Sequence, residues 1–369
     1  MKTIRGAEEV RSMIAAGLLI STIACSSDDH GTTGLADSLM VAAANNPSLV
    51  AEGRDIFRFD TFGNEWFWTD QLGLDDKINA LSPMVAIGVG LKIDTDALDN
   101  TLREALRTGN FDPTNPAITV ELIRRNAVLG VKGEVVNGAV VKVGITCALC
   151  HSTVDGSVVA GVVGKRLDGW PPRDLNVGAI LALATGVAAP YSSWGPGKYD
   201  PRFNFHPNET SEPVVLPPAF GLRHVRKETY TGDGEVSYWN AYVAITQMRG
   251  QGVFIDPRIG VSVNNIQPGS TDMVASKLPA LLAYQLSLAT PKARAGTFDA
   301  AAAERGKTVF NETAGCARCH LGNIYSDINA NMLHSADEVE IGVVIGAEHA
   351  EAEQPLVGAD VDQQPFRQA

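Results

Sequence analysis

The stretch VKGEVVNGAVVKVGITCALCH, residues 131–151, decides how the rest of the chain is read. Val131 to Val136 and Ala139 to Val143 are β-rich runs. Asn137-Gly138 between them is the dipeptide that most readily takes the left-handed positions of a two-residue hairpin turn. A hairpin is therefore expected to deliver Cys147. The next five residues, Cys147-Ala-Leu-Cys150-His151, set two thiols three positions apart with a histidine directly behind them. That spacing is the c-type haem attachment motif. The thiols add to the two vinyl groups of one porphyrin, and the histidine turns under the ring to ligate iron.

A second copy, Cys316-Ala-Arg-Cys319-His320, lies far downstream, and the two copies use four of the five cysteines. Two Cys-x-x-Cys pairs can also build a zinc site, but their wide separation and the histidine behind each pair point away from that. A dithiol or a set of disulfides would leave both histidines unexplained. The sequence thus asks for two haem c groups (iron), held by Cys147, Cys150 and His151 and by Cys316, Cys319 and His320. No G-x-G-x-x-G, G-x-x-x-x-G-K-[ST], H-E-x-x-H or G-x-S-x-G motif adds another chemistry.

The approach to the second motif differs from the first. Phe298 to Phe310 (FDAAAAERGKTVF) is Ala-rich with an acidic start, a strong helix former, and places Gly306 and Phe310 four apart on one face. Outward from the motifs, periodicity predicts helices at 36–45, 96–108, 116–128, 174–186, 237–249, 273–288 and 298–310. Asp174 is the expected N-cap and Gly186 the expected stop of the 174–186 helix. Residues 189–235 are crowded with Pro, Gly and aromatics and read as an ordered long loop, wrapping either a haem edge or the helical core. Trp170, Trp194, Trp239, Tyr238 and Tyr242 belong either to a haem pocket or relay or simply to the core.

The 369 residues are 45% hydrophobic and 20% charged, which describes a globular chain. With 30 Lys and Arg against 42 Asp and Glu, the net charge of −12 makes nucleic acid a poor ligand. MKTIR followed by the apolar Met13 to Ala24 reads as a secretion signal, with Glu8 and Glu9 leaving a buried N-terminal helix as the other reading. Ala24-Cys25-Ser26 is similar to a bacterial lipoprotein cleavage site, although Thr22 stands where Leu is usual, so lipidation of Cys25 and simple cleavage both remain open. The expected organisation is a signal peptide over 1–25, a polar tether over 26–35, a first haem domain over 36–296 and a second cytochrome c-like haem domain over 297–369. The fold class expected is mainly α, with two c-type haem domains. The first is larger and carries the β-hairpin before its motif, and the second is a small helical module.

The 298–310 helix and its glycine-aromatic step resemble the first helix of class I cytochromes c. With both motifs and the Asn331-Met-Leu-His-Ser-Ala-Asp-Glu-Val segment, the chain resembles bacterial di-haem cytochromes c of the cytochrome c peroxidase-like superfamily, specifically at 147–151 and about 298–341. The resemblance implies that one haem accepts electrons and passes them to the other, where peroxide or another oxidant is reduced. That superfamily also carries a His-Asp-Gly segment, which this chain lacks.

Function then turns on the sixth iron ligand: Met or His closes the iron for electron transfer, and an open position admits peroxide. For the first haem the favoured residue is Met248, which ends an amphipathic stretch and enters Arg249-Gly-Gln-Gly. Its other reading is core filler, and His206, His224 or an open site are the alternatives. For the second haem Met332 is favoured, with His334 as runner-up. Lys165, Arg166 and Arg173 are read either as partners of haem propionates or as a solvated turn. The expected function is an exported di-haem c-type cytochrome carrying single electrons to a redox partner protein. It would be periplasmic, or membrane-anchored as a lipoprotein facing the periplasm or cell surface. The alternatives are a di-haem peroxidase-like oxidoreductase reducing peroxide at an open haem, and a haem-based sensor.

Overall fold

The computed structural model describes residues 41–188, 191–200, 213–225, 227–228, 234–293, 295–320, 322 and 325–326. Helix α1 (Pro47–Phe59) starts where the Asn46 side chain accepts from the amides of Ser48 and Leu49, with Pro47 in the first turn. A π-helical segment, Trp66–Gln71, follows, then α2 (Leu74–Asn79), α3 (Pro83–Gly88), strand β1 (Ile93–Asp94), α4 (Asn100–Thr108) and α5 (Pro116–Arg124). Helix α5 stops short of the predicted 128 because Asn126 turns left-handed at φ 55°.

Strands β2 (Val131–Val136) and β3 (Ala139–Ile145) form the expected antiparallel hairpin, with Val136 paired to Ala139 and Val131 to Ile145. Asn137 and Gly138 take φ 50° and 80°, the left-handed pair that the tight turn needs. Side chains cover the outer edge of β3. Asn79 exchanges two hydrogen bonds with the backbone of Val140 (2.8 and 2.9 Å), Thr69 two with Val143 (2.8 and 3.0 Å) and Asn64 two with Ile145 (2.9 and 3.2 Å). These amides and a hydroxyl satisfy the row of backbone groups that a neighbouring strand would otherwise take. Strand β3 is therefore locked in register up to the residue before Thr146-Cys147.

Beyond it come α6 (Ala148–His151), β4 (Ser152–Val154), β5 (Val163–Gly164), β6 (Arg166–Asp168), α7 (Val177–Thr185), β7 (Lys198–Tyr199) and β8 (Val214–Val215). Then follow α8 (Val236–Tyr242) running into a π-helical turn at Val243–Gln247, β9 (Val253–Asp256), β10 (Val261–Asn264), α9 (Leu278–Ser287) and α10 (Ala300–Thr308). Gly186 ends α7 left-handed at φ 73° as expected, but the N-cap is Asn176, whose side chain accepts from Ala179 N at 2.9 Å. Asp174 instead pairs with the buried Lys92. Among the described residues, strands are confined to five two-stranded sheets, and helices supply most of the regular structure.

Two apolar cores run through residues 47–288. One gathers Trp68, Leu122, Ile123, Val140, Val143, Leu149, Val163, Leu175 and Trp194. The other gathers Phe57, Phe62, Ala148, Tyr242, Ile245, Met248, Leu281 and Tyr284. Helices α1 and α9 meet closely in the second core, where a Cβ on Gly53 would lie 1.8 Å from Ala280 O, so only glycine fits. The Cys-x-x-Cys turn straddles the seam: Cys147 and Ala148 pack on the second core, Leu149 and Cys150 on the first.

Candidate functional site

Cys147, Cys150 and His151 open onto one cavity of about 900 Å³. Residues Val214 to Ala219 form one wall, and Trp239, Tyr242, Val243, Gln247 and Met248 from α8 and its π-helical extension form another. The volume lies toward the upper end of the range of small-molecule and cofactor sites. The described parts of the 189–235 segment divide between the cavity and the core. Val214 to Ala219 line the cavity, while Tyr191 and Trp194 are core at 2% and 1% exposure.

The two thiols lie on the cavity wall and are not bonded to each other. Burial pushes each up to about 12, so at neutral pH they are protonated thiols rather than thiolates open to disulfide exchange. Their placement depends on Gly130. A Cβ there would lie 2.1 Å from Leu149 Cα, and Gly130 sits at φ +76°, so only a glycine lets the start of the hairpin lie against the motif.

His151 is oriented from behind. Its Nδ1 lies 3.2 Å from Pro217 O, and a carbonyl only accepts, so Nδ1 carries the proton and Nε2 is left as the lone-pair nitrogen. The backbone is fixed as well: Gly169 N donates to His151 O at 2.7 Å, and Ala219 N donates to Gly169 O at 2.8 Å. Next to it Ser152 Oγ donates to Asp168 at 2.6 Å, and the same carboxylate accepts from Arg58 and from the Tyr284 hydroxyl. The Asp168 side chain is 2% exposed. Burial draws the His151 ring below the ordinary histidine range, which keeps it neutral and fit to donate a lone pair to a metal.

Met248 is 5% exposed and lines the same cavity as His151. His224 is exposed in a short 3₁₀ turn and does not line it. Trp239 carries a buried indole nitrogen with no hydrogen-bond partner, and beside it Asn240 and Gln285 exchange reciprocal amide bonds of 2.6 and 3.1 Å. An orphaned donor at a cavity wall is what a polar group of a bound molecule would satisfy. Lys165, Arg166 and Arg173, read either as propionate partners or as a solvated turn, do not line the cavity. Arg166 pairs with Asp94 at 3.0 Å, Arg173 donates to Leu216 O, and Lys165 is exposed and gives its amide to Asp155. Trp170 is 38% exposed against Phe220, whereas Tyr238 donates to Asp256 at 2.6 Å and packs on Trp239.

The second motif follows α10, capped by Asp299, whose side chain accepts from Ala302 N at 3.0 Å. A π-helical turn at Val309–Thr313 and a 3₁₀ turn at Cys316–Arg318 then bring His320 round, with its amide 3.0 Å from Cys316 O. His320 Nδ1 lies 2.8 Å from Tyr325 O, the same anchoring of Nδ1 by a carbonyl as at His151. Phe310, the aromatic of the glycine-aromatic step, sits 5.8 Å from the His320 ring and 5.7 Å from Tyr325. Cys316 is half-buried and Cys319 exposed, and neither is in a disulfide. Ser326, six residues past His320, lines the first cavity. Met332, His334, His206 and Cys25 lie outside the described residues. Among the described residues no group of three or more His, Cys, Asp or Glu gathers as a metal site, so the two Cys-x-x-Cys pairs do not converge on one tetrahedral centre. No helix of the described residues is long and apolar enough to cross a membrane.

Sequence reasoning missed Gly130, Pro217, Asp168 as an anchor, and the pair Trp66 and Trp68, whose indoles reach the Met248 and Arg249 carbonyls. Compared with known protein families, curated proteins and solved structures, the chain matches none of them.

Proposed function

We propose that this chain is a c-type cytochrome that carries single electrons. One haem would be held by Cys147, Cys150 and His151 with Met248 as a further ligand, and a second by Cys316, Cys319 and His320. The observation that carries the reading is that both thiols, the histidine and Met248 line one largely apolar cavity of fitting size. When bound, haem iron supplies a one-electron ferric/ferrous couple whose potential follows axial ligand, burial and hydrogen bonding. The chain's own contribution is positional. Pro217 O fixes the His151 tautomer, the apolar walls exclude water, and the Trp239 N–H offers a donor to a carboxylate.

Met248 at the cavity wall favours the carrier over the peroxide-reducing alternative, which needs an open sixth position. Export, with or without lipidation at Cys25, agrees with this reading, because haem c is attached outside the cytoplasm. Its partner would be another redox protein. The test is a pyridine haemochrome assay on full-length protein co-expressed with haem-attachment machinery, followed by the reduced spectrum with and without carbon monoxide. Two haems per chain, and no carbon monoxide shift at the first, are expected. Absence of covalent haem would overturn the proposal, and a shift amounting to the first haem would replace the carrier with an enzyme or sensor.

A further inference from the structure

The segment Trp66-Phe67-Trp68 opens the first π-helical turn and makes three consecutive contacts with two residues on the far side of the sequence. The Trp68 indole donates to Met248 O at 3.0 Å, and the Trp66 indole donates to Arg249 O at 2.8 Å. The Arg249 guanidinium stands 5.3 Å from the centroid of the Phe67 ring between them. Arg249 itself is held left-handed at φ 67°, a conformation that a non-glycine residue keeps only when its surroundings over-determine it. Those surroundings are visible on both sides. Met248 N donates to Val243 O at 2.9 Å, Gly250 N to Ala244 O at 2.8 Å, and Gln251 N to Phe62 O at 2.8 Å. A Cβ on Gly250 would come within 2.7 Å of Ala244 O, so this close backbone approach requires a glycine.

Methionine is a weak, flexible ligand with three rotatable side-chain bonds, so its sulfur is only as well placed as its backbone. We infer that Trp66, Phe67 and Trp68 are positioning residues: they fix the Met248-Arg249 peptides and thereby hold the Met248 sulfur in ligating position. This inference rests on the reading of Met248 as an axial ligand. The triplet sets how tightly the sixth position is closed, without touching the iron.

The test uses the full-length holoprotein carrying W66F, W68F, the double substitution W66F/W68F, or M248A, with W194F as a control for a buried tryptophan that does not itself line the cavity. Three quantities are read well below the unfolding temperature: haem per chain, the methionine-to-iron charge-transfer band of the ferric protein, and the rate of carbon monoxide binding to the reduced protein. In W66F/W68F haem per chain should stay at the wild-type value, while the band weakens and carbon monoxide binding to one haem rises at least tenfold toward the M248A rate. W194F should leave the band unchanged even where it lowers stability. If M248A opens the iron and the tryptophan variants stay within twofold of wild type, the triplet is not a positioning device. If M248A leaves the spectrum unchanged, the ligand reading itself fails and this inference with it. Should W68F not fold, W66F alone decides, because its side chain is only half-buried and acts through the Arg249 carbonyl.

Discussion

Asp168 shows how a single buried side chain supports the site. Its carboxylate accepts from Arg58, Tyr284 and Ser152, and Ser152 is covalently next to His151. Removing the carboxylate strands a half-buried guanidinium and two hydroxyls, so D168A should cost about 2–4 kcal/mol in guanidinium denaturation of the holoprotein. D168N, which keeps the shape but loses the charge, should cost less. The Asp168-Gly169-Trp-Pro-Pro segment stands out in the sequence, but the reason for it does not: the neighbouring basic residues suggested either propionate binding or a solvated turn. Instead Arg166 is engaged by Asp94, and the acidic residue of the segment proved to be the anchor. Proximity in sequence drew attention to the segment but not to the carboxylate that anchors it, because ion pairing is decided by neighbours from other elements.

At the level of elements, the hairpin delivers the motif through a contact between backbones. A methyl group on Gly130 would collide with Leu149, in the middle of the motif, and Gly130 also sits at positive φ. If two haems are bound as proposed, G130A is therefore expected to lower haem content toward one per chain, measured by pyridine haemochrome, with the second site retained. Gly138, by contrast, has open space around it, so G138A should cost only the left-handed backbone penalty, about 1 kcal/mol, and leave haem content unchanged. Helix α5 gives a pH-dependent case. The hydrogen bond from Arg124, aided by Arg125, lowers the Glu121 carboxyl to about 2 from the usual 4.5. This stabilisation is present above pH 4.5 and is lost as pH falls from 4.5 toward 2. The pair is partly exposed, so E121Q should remove no more than about 1 kcal/mol, seen as a flatter stability profile across that interval. Of the elements, the hairpin, the Gly186 stop and the 298–310 helix followed from turn chemistry and composition. Helix α1 was within reach too, since Asn46-Pro47 is a cap followed by proline in the first turn. The π-helical turns were not, because their widened hydrogen bonding leaves no periodic signature in a short segment.

Over the whole molecule, the first motif lies between two apolar cores, whereas the second is carried on α10 and the turns that follow it. The two proposed attachment sites should therefore be separable. On the proposed reading C147S/C150S is expected to retain one haem per chain and to melt at a lower temperature, because the cavity lined by Cys147 and Cys150 would be left without a group to fill it. C316S/C319S should likewise retain one haem, with much less effect on melting, since α10 buries no side chain among the described residues. Equal losses of stability in both variants would show that the second segment is as much part of the core as the first.

The sequence by itself determined the local signals. Two thiols and a histidine within five residues form the local pattern on which the haem proposal rests, and Asn137-Gly138 defines the turn before it, because both signals are local. What only the tertiary structure decided is what surrounds each histidine. Pro217 orients His151, Met248 shares its cavity, and Trp66 grips Arg249 from 183 positions away. Those choices depend on helices and loops that meet through burial of apolar surface, and no spacing along the chain encodes such a meeting.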